Sequence, residues 1–302
     1  KEVERIAPPL LLGLAYACSV GGVGTPIGTP PNLVFMQVFE EYTDESISFV
    51  QWMSWGLPVV FIMIPLIAIF LTRGKETSLS LNLPKVGEWS SFEKRVMTVF
   101  FLTALAWITR TEPFGGWSSW FGMPGANDAS VAFLFVVVMF VVPNGEGGRL
   151  LSWERASNIP WGVLLLFAGG MCLAKAFDAS GLSGLLGNAI VNFVHFPLWM
   201  LIVIICLGVT FMTETTSNTA STALLMPILA SVAVMADLPL EAIMVPAAMT
   251  ASCAFMLPVA TAPNSIVFGS GLITSSTMAK EGFILNLVGV LVVSTVSYFL
   301  LT

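Results

Sequence analysis

Charged side chains make up only 10% of this sequence, whereas a water-soluble domain carries about 25%. That scarcity excludes a chain whose surface meets water on every side. With 56% hydrophobic residues and a mean hydropathy of +0.88, most of its solvent must be lipid. Histidine is nearly absent: His195, the single one, sits at the end of an apolar stretch close to Pro197. An intramembrane enzyme needs a nucleophile with a base, or a cluster of metal ligands, and the sequence offers neither. No catalysis, cofactor or nucleic-acid partner is therefore expected. The four cysteines, Cys18, Cys172, Cys206 and Cys253, lie inside apolar segments at spacings that match no zinc or haem pattern, so they read as small buried hydrophobes. The opening Lys-Glu-Val-Glu-Arg, without a small-residue cleavage site, is not expected to be a secretory leader.

What is present is a series of apolar runs of the length that crosses a bilayer, roughly 20 residues each. They fall at about 9–36, 50–72, 95–111, 129–143, 159–178, 197–236, 242–272 and 283–302. If each crosses once, except that 197–236 enters and leaves on one side, ten of the 12 basic residues share a face: Lys1, Arg5, Arg73, Lys75, Lys85, Lys94, Arg95, Arg149, Arg155 and Lys280. The positive-inside rule makes that face cytoplasmic and leaves Arg110 and Lys175 opposite. Lys175 and Asp178, three apart, read as a solvated ion pair. Trp52, Trp55, Trp117, Trp120, Trp153 and Trp161 stand at segment ends, as interfacial anchors do.

Three segments carry polar or helix-breaking centres. Residues 213–222 read Thr-Glu-Thr-Thr-Ser-Asn-Thr-Ala-Ser-Thr between apolar arms 197–212 and 223–236, each short for a crossing. Irregular backbone at membrane depth survives only inside protein or along an aqueous cavity, so a re-entrant helix–turn–helix is expected. Residues 21–32 and 258–264 hold glycines and prolines that cost a helix its backbone bonds. Each break alone also reads as a plain proline kink. Together they match: Gly28-Thr29-Pro30-Pro31-Asn32 aligns with Ala260-Thr261-Ala262-Pro263-Asn264, and by the topology above the two run in opposite directions. Paired broken helices of opposite sense mark an inverted-repeat transporter with its site at the midplane. The expected class is therefore an all-α polytopic membrane protein, an inverted-repeat transporter with broken helices and a re-entrant hairpin. The repeat also calls for a partner hairpin ahead of residue 1, so an amino-terminally incomplete chain is expected.

With Ser217-Asn218-Thr219, these two stretches resemble the divalent anion/sodium symporter family, supported by Ile159-Pro160-Trp161-Gly162, Ala168-Gly169-Gly170 and Ile266-Val267-Phe268-Gly269-Ser270-Gly271. The resemblance covers essentially the whole chain. It implies a homodimer in the plasma membrane, in a bacterium the inner membrane, whose protomers pair a scaffold with a moving transport domain. On that basis residues 1–49 close the first repeat with its broken helix. Residues 50–158 are scaffold helices and cytoplasmic loops. Residues 159–281 form the second transport domain, with hairpin 197–236 and broken helix 242–272, and 282–302 the carboxyl-terminal spanning helix. The resemblance further implies that Asn218, Thr219, Thr29, Thr261 and Ser217 face a small di- or tricarboxylate. It assigns sodium, the coupling ion, to Gly28, Thr213, Thr216, Asn218 and Ala260. Ala262 stands where many members have a proline, close to the anion.

These residue types suit the chemistry. The expected site contains no Arg, Lys or His, so a dianion must be held by helix amino termini, hydroxyls and bound cations. Sodium, a hard cation, favours oxygen ligands, which unwound carbonyls, Thr, Ser and Asn supply. Glu214 reads as a carboxylate hydrogen-bonded to a neighbouring helix, with ion coupling and proton coupling as alternatives. The competing functions are a sodium-independent dicarboxylate exchanger, a symporter of sulfate or another divalent anion, and a proton-coupled antiporter.

Overall fold

A computed structural model describes residues 2–74, 87–112, 114–159, 161–182, 185 and 196–302; His195, Lys75 and Lys85 lie outside the described residues. Among the described residues the regular structure is helical, apart from one isolated bridge between Pro143 and Arg149. The helices are α1 (Glu2–Val23), α2 (Pro30–Thr43), α3 (Phe49–Thr72), α4 (Ser91–Ile108), α5 (Gly116–Trp120), α6 (Asp128–Val141), α7 (Trp153–Ser157), α8 (Trp161–Ser180), α9 (Leu198–Thr213), α10 (Asn218–Met235), α11 (Leu240–Ala251), α12 (Ala262–Phe268) and α13 (Ser275–Leu301). Among the described residues four stretches are long and apolar enough to cross a membrane: Ile6–Val23, Phe49–Thr72, Asn218–Met235 and Ser275–Leu301.

The chain forms two compact units, one of Lys1–Ile47, Gln51–Leu79 and Gly162–Thr302, the other of Ser48–Val50 and Ser80–Trp161. In the smaller unit α4 packs on α6. Both helices open with reciprocal capping boxes, Ser90 with Glu93 and Asn127 with Ser130. Arg110 at the end of α4 bonds Asp128 at 2.7 Å and the carbonyl of Ala126 at 3.1 Å, fixing the turn that joins the helices. In the larger unit α9 packs on α11 and α13, α10 on α2 and α11, and α1 on α12. The helix α3, read from sequence as the first scaffold helix, falls largely in this larger unit.

Both expected breaks are present, though each is displaced from its sequence reading. The first spans residues 24–29 rather than 21–32, because Pro30 and Pro31 open α2 instead of interrupting it. Proline is tolerated in a first turn, where its missing N–H has no intrahelical partner to lose. The second spans 252–261 rather than 258–264. Cys253-Ala254-Phe255-Met256-Leu257 looks helical, yet the N–H groups of Phe255, Met256 and Leu257 are taken by side chains elsewhere in the chain. The polar stretch 213–222 also differs: only 214–217 is a turn, and Asn218 already begins α10, whose first turns hold the remaining hydroxyls.

Sequence readings change at several side chains, and Cys18 and Cys172, read as buried, are exposed. Trp52 is no interfacial anchor: it is 0% exposed, and its indole N–H donates at 2.9 Å to the carbonyl of Val23, the last residue of α1. An unwound helix leaves its final carbonyls without partners, and here a tryptophan of α3 satisfies one. Lys175 pairs with Glu41 of α2 at 3.2 Å, an interhelical contact that spacing along α8 does not reveal, while the Asp178 side chain lies outside the described residues.

At each break the backbone also presses on a glycine of a long helix further along the chain. A Cβ at Gly56 of α3 would lie 2.5 Å from the Val23 carbonyl oxygen, and one at Gly282 of α13 would lie 2.2 Å from that of Phe255. Neither position has room for a methyl group. Gly282→Ala is expected to destabilise the protein by about 1–3 kcal/mol through overpacking. Gly208→Ala on α9, where nothing lies within 4 Å, should be neutral or stabilising by about 0.5–1 kcal/mol. Melting temperatures of the two variants in detergent check this, and equal values would contradict the packing.

Candidate functional site

Unwound backbone exposes hydrogen-bonding groups, so the place where two breaks meet is where a polar guest is expected. A cavity of about 600 Å³ occupies that place. Its wall comprises Cys18, Ser19 and Gly22 of α1, the stretch Gly28–Pro31, Ser217–Thr219 at the start of α10, and Ser252, Val259–Pro263 and Ser265 around the second break. The structure thus brings Gly28, Thr29, Ser217, Asn218, Thr219, Ala260, Thr261 and Ala262 to one wall. Thr213 and Thr216 are not part of it. Thr213 is fully buried and donates its hydroxyl proton to the carbonyls of Val209 and Thr210, both at 3.0 Å. Thr216 donates to Met212 at 2.8 Å and sits 2.6 Å from the Ser221 hydroxyl. No Lys, Arg, His, Asp or Glu lines the cavity among the described residues.

The two unwound stretches are held by the same device. The Asn32 amide donates to the carbonyls ten and seven residues earlier, Gly22 at 3.2 Å and Thr25 at 2.8 Å. The Asn264 amide does so at the same offsets, to Ala254 and Leu257, both at 3.1 Å. Two carbonyl acceptors require the NH₂ group to face them, which fixes the orientation of each amide. Both residues are 0% exposed, and the Oδ1 atom of each has no partner among the described residues. The Oδ1 of Asn218, in the cavity wall, is likewise buried without one. A buried amide oxygen is costly unless something donates or coordinates to it. Asn218 therefore offers a ready oxygen to a cation or to a donor.

Glu214, at the turn after α9, is 3% exposed and fixes the second break from outside the cavity. One oxygen accepts from the Met256 N–H at 2.9 Å and from the Asn286 amide at 2.7 Å, and the other accepts from the Leu257 N–H at 3.0 Å. Asn286, on α13, completes the network by accepting from the Phe255 N–H at 3.1 Å. Among the described residues each hydrogen-bond partner of the carboxyl is an N–H donor, the surroundings of a carboxylate. The Tyr16 hydroxyl then takes the Phe255 carbonyl at 2.8 Å. Past Ala251, the N–H groups of Ser252 and Cys253 still reach back to Met249 and Thr250, and those of residues 255–257 are satisfied by tertiary partners.

A family profile described as "Sodium:sulfate symporter transmembrane region" matches residues 1–300. The chain belongs to this family of membrane symporters. The chain is also similar to the sodium-dependent dicarboxylate transporter SdcS of Staphylococcus saprophyticus, 36% identical over 99% of this chain and 60% of the relative. The SdcS protein of Staphylococcus aureus is 34% identical over the same shares. The chain therefore spans about three-fifths of the length of these relatives. Membership sets aside the intramembrane enzyme and makes this a multi-pass membrane protein.

Within this symporter fold, several residues of the site escaped the sequence reading. Ser19 and Ser252 line the cavity, but a serine near an apolar helix end carries no signal by itself. Asn286 stands alone on α13, in a helix whose pattern says only that it is apolar. Asn32 and Asn264 were visible as partners in the repeat, while their work as latches depends on carbonyls seven and ten residues back. Glu214→Gln replaces one acceptor oxygen with an NH₂ group that faces an N–H donor. It should cost about 1–3 kcal/mol of stability for the donor left unpaired. Thermal unfolding checks this, and a melting temperature equal to wild type would show that the carboxylate does not hold the break.

Proposed function

We propose that the intact protein is a secondary transporter that couples sodium to the uptake of a small di- or tricarboxylate such as succinate. The observation that carries this reading is the cavity: about 600 Å³, walled by hydroxyls, amide and carbonyl oxygens, without a charged side chain among the described residues. A dianion there is drawn by the first turns of α2 and α10 and by N-cap hydroxyls, and these neutral dipoles bind weakly alone. Sodium at oxygens of Gly28, Ala260 and Asn218, with Thr213 and Thr216 nearby, supplies the missing positive charge. Each ion then improves the other's site, and the coupling is reciprocal. The relatives named as sodium-dependent dicarboxylate transporters support the same choice of ion and substrate.

In this reading the two broken helices are inverted repeats, which the shared latch offsets of Asn32 and Asn264 and the paired glycine contacts support. The helices α9 and α10 form a re-entrant hairpin with its tip at Ser217–Thr219. Residues 1–49 and 159–281 belong to a transport domain, 50–158 to a scaffold, and 282–302 to the last spanning helix of a homodimer. Glu214 serves as a positioning carboxylate instead of a proton carrier, because its neighbours are N–H donors.

Uptake of labelled succinate into proteoliposomes holding the intact protein tests the function. An inward sodium gradient should drive accumulation that a choline gradient does not. Exchange with internal dicarboxylate, indifferent to sodium, would replace this reading with the exchanger, and competition by sulfate would widen the substrate class. Asn218→Ala is expected to reduce sodium-driven uptake roughly tenfold or more, with the melting temperature close to that of the parent. Unchanged uptake by that variant would remove Asn218 from the site.

A further inference from the structure

The cap threonines of the two broken helices are each bonded to a serine of the other helix. The Thr29 hydroxyl lies 3.0 Å from that of Ser252, at the end of α11, and the Ser19 hydroxyl, on α1, donates to that of Thr261 at 3.5 Å. All four residues line the cavity, and both serines are nearly or fully buried. A hydroxyl has one proton and two acceptor positions. Thr261 already accepts from the Asn264 N–H at 3.3 Å, so the Ser19 proton fills its second acceptor position. What Thr261 still has to offer is its own proton. Thr29 makes no cap bond with its side chain, because Pro30 and Pro31 have no N–H and the Asn32 N–H goes to its carbonyl. Its hydroxyl is paired with Ser252 instead. Such a pair holds two protons, spends one between its oxygens, and presents the other.

We propose that Ser19 and Ser252 are positioning residues of the anion site: Ser19 turns Thr261 into a hydrogen-bond donor toward the cavity, and Ser252 pairs with Thr29 so that one proton of the pair is presented there. The inference deepens the reading of this cavity as an anion site and rests on it. In a wall without cationic side chains, the sign of each hydroxyl matters. A threonine free to rotate presents a lone pair to a carboxylate as readily as a proton, while one whose acceptor positions are filled can only donate. The crossed pattern also ties the two breaks together, so that a guest held by Thr29 constrains α11 and one held by Thr261 constrains α1.

The test uses the intact protein in proteoliposomes under a fixed sodium gradient, with initial uptake rates measured against succinate concentration. Ser252→Ala and Ser19→Ala should each raise KM about three- to tenfold while kcat stays within about twofold, since what is lost is ground-state and transition-state binding alike. Ser252→Thr and Ser19→Thr, which keep the hydroxyl, should recover most of the affinity. In the pair Thr29→Val and Ser252→Ala, the double variant should be little worse than Thr29→Val alone, because the serine acts through the threonine. The same variants are compared by the succinate concentration that stabilises them against heat in detergent, which reads binding without transport. Wild-type values in both alanine variants, or additive losses in the double variant, would overturn the inference while leaving the anion site standing. A wild-type protein that neither takes up nor is stabilised by succinate, citrate or sulfate would overturn the anion site, and this inference with it.

Discussion

A carboxylate buried at membrane depth has to be matched by donors, and Glu214 meets that demand with the N–H groups of Met256 and Leu257 and the amide of Asn286. Leaving such a group unpaired would cost several kcal/mol, so the arrangement binds three parts of the chain together: the turn after α9, the unwound stretch after α11, and the terminal helix α13. The rest of the site follows from that bond. Because residues 255–257 give their N–H groups to side chains, α11 ends at Ala251. Because it ends there, the Phe255 carbonyl is free for Tyr16 and the backbone lies flat against Gly282. The start of α10 at Asn218 is thereby set against the second break, and the cavity exists between them.

The first break reaches a similar end by other means. Among the described residues no carboxylate bonds its unwound stretch; the Trp52 indole donates to the Val23 carbonyl, and Gly56 gives the backbone room to approach. Common to both is the asparagine three residues beyond the cap threonine, which holds two carbonyls at the same offsets behind it. An unwound segment inside a membrane needs each backbone polar group answered from within the protein. Asparagine suits the task because one planar NH₂ group serves two carbonyls and its helix supplies a rigid mount. The carbonyls left over are those that a hard cation can use. Latching the loop and offering oxygen to an ion are therefore two aspects of one arrangement.

The spans near 50–72 and 159–178 are close to α3 and α8, since long apolar runs in a chain with little charge leave few other choices. The existence of both breaks was legible from Gly and Pro, but their limits were not. Proline marks where a helix cannot continue and equally where one can begin, and only the neighbouring chain decides between these. That is why Pro30-Pro31 and Pro263 sit inside first turns, and why Cys253–Leu257, with no breaker in it, is unwound. Of the residues expected at the site, eight line one cavity, whereas Thr213 and Thr216 are turned to helix carbonyls. Five of those eight carried a repeated motif and the other three, Ser217–Thr219, the family's motif; Ser19, Ser252 and Asn286 carried none.

By itself, then, the sequence determined the solvent, the helical class, the pairing of two motifs and the residue chemistry of the site. These depend on composition and on local order, which hold wherever the helices end up. The tertiary structure alone decided which N–H groups leave their helix, which hydroxyls meet, and that Trp52 faces a backbone carbonyl instead of the interface. Hydrogen bonds such as Glu214 to Leu257 or Thr29 to Ser252 join residues 43 and 223 positions apart. Their existence depends on how close the helices pack, and no local pattern of residues encodes that distance.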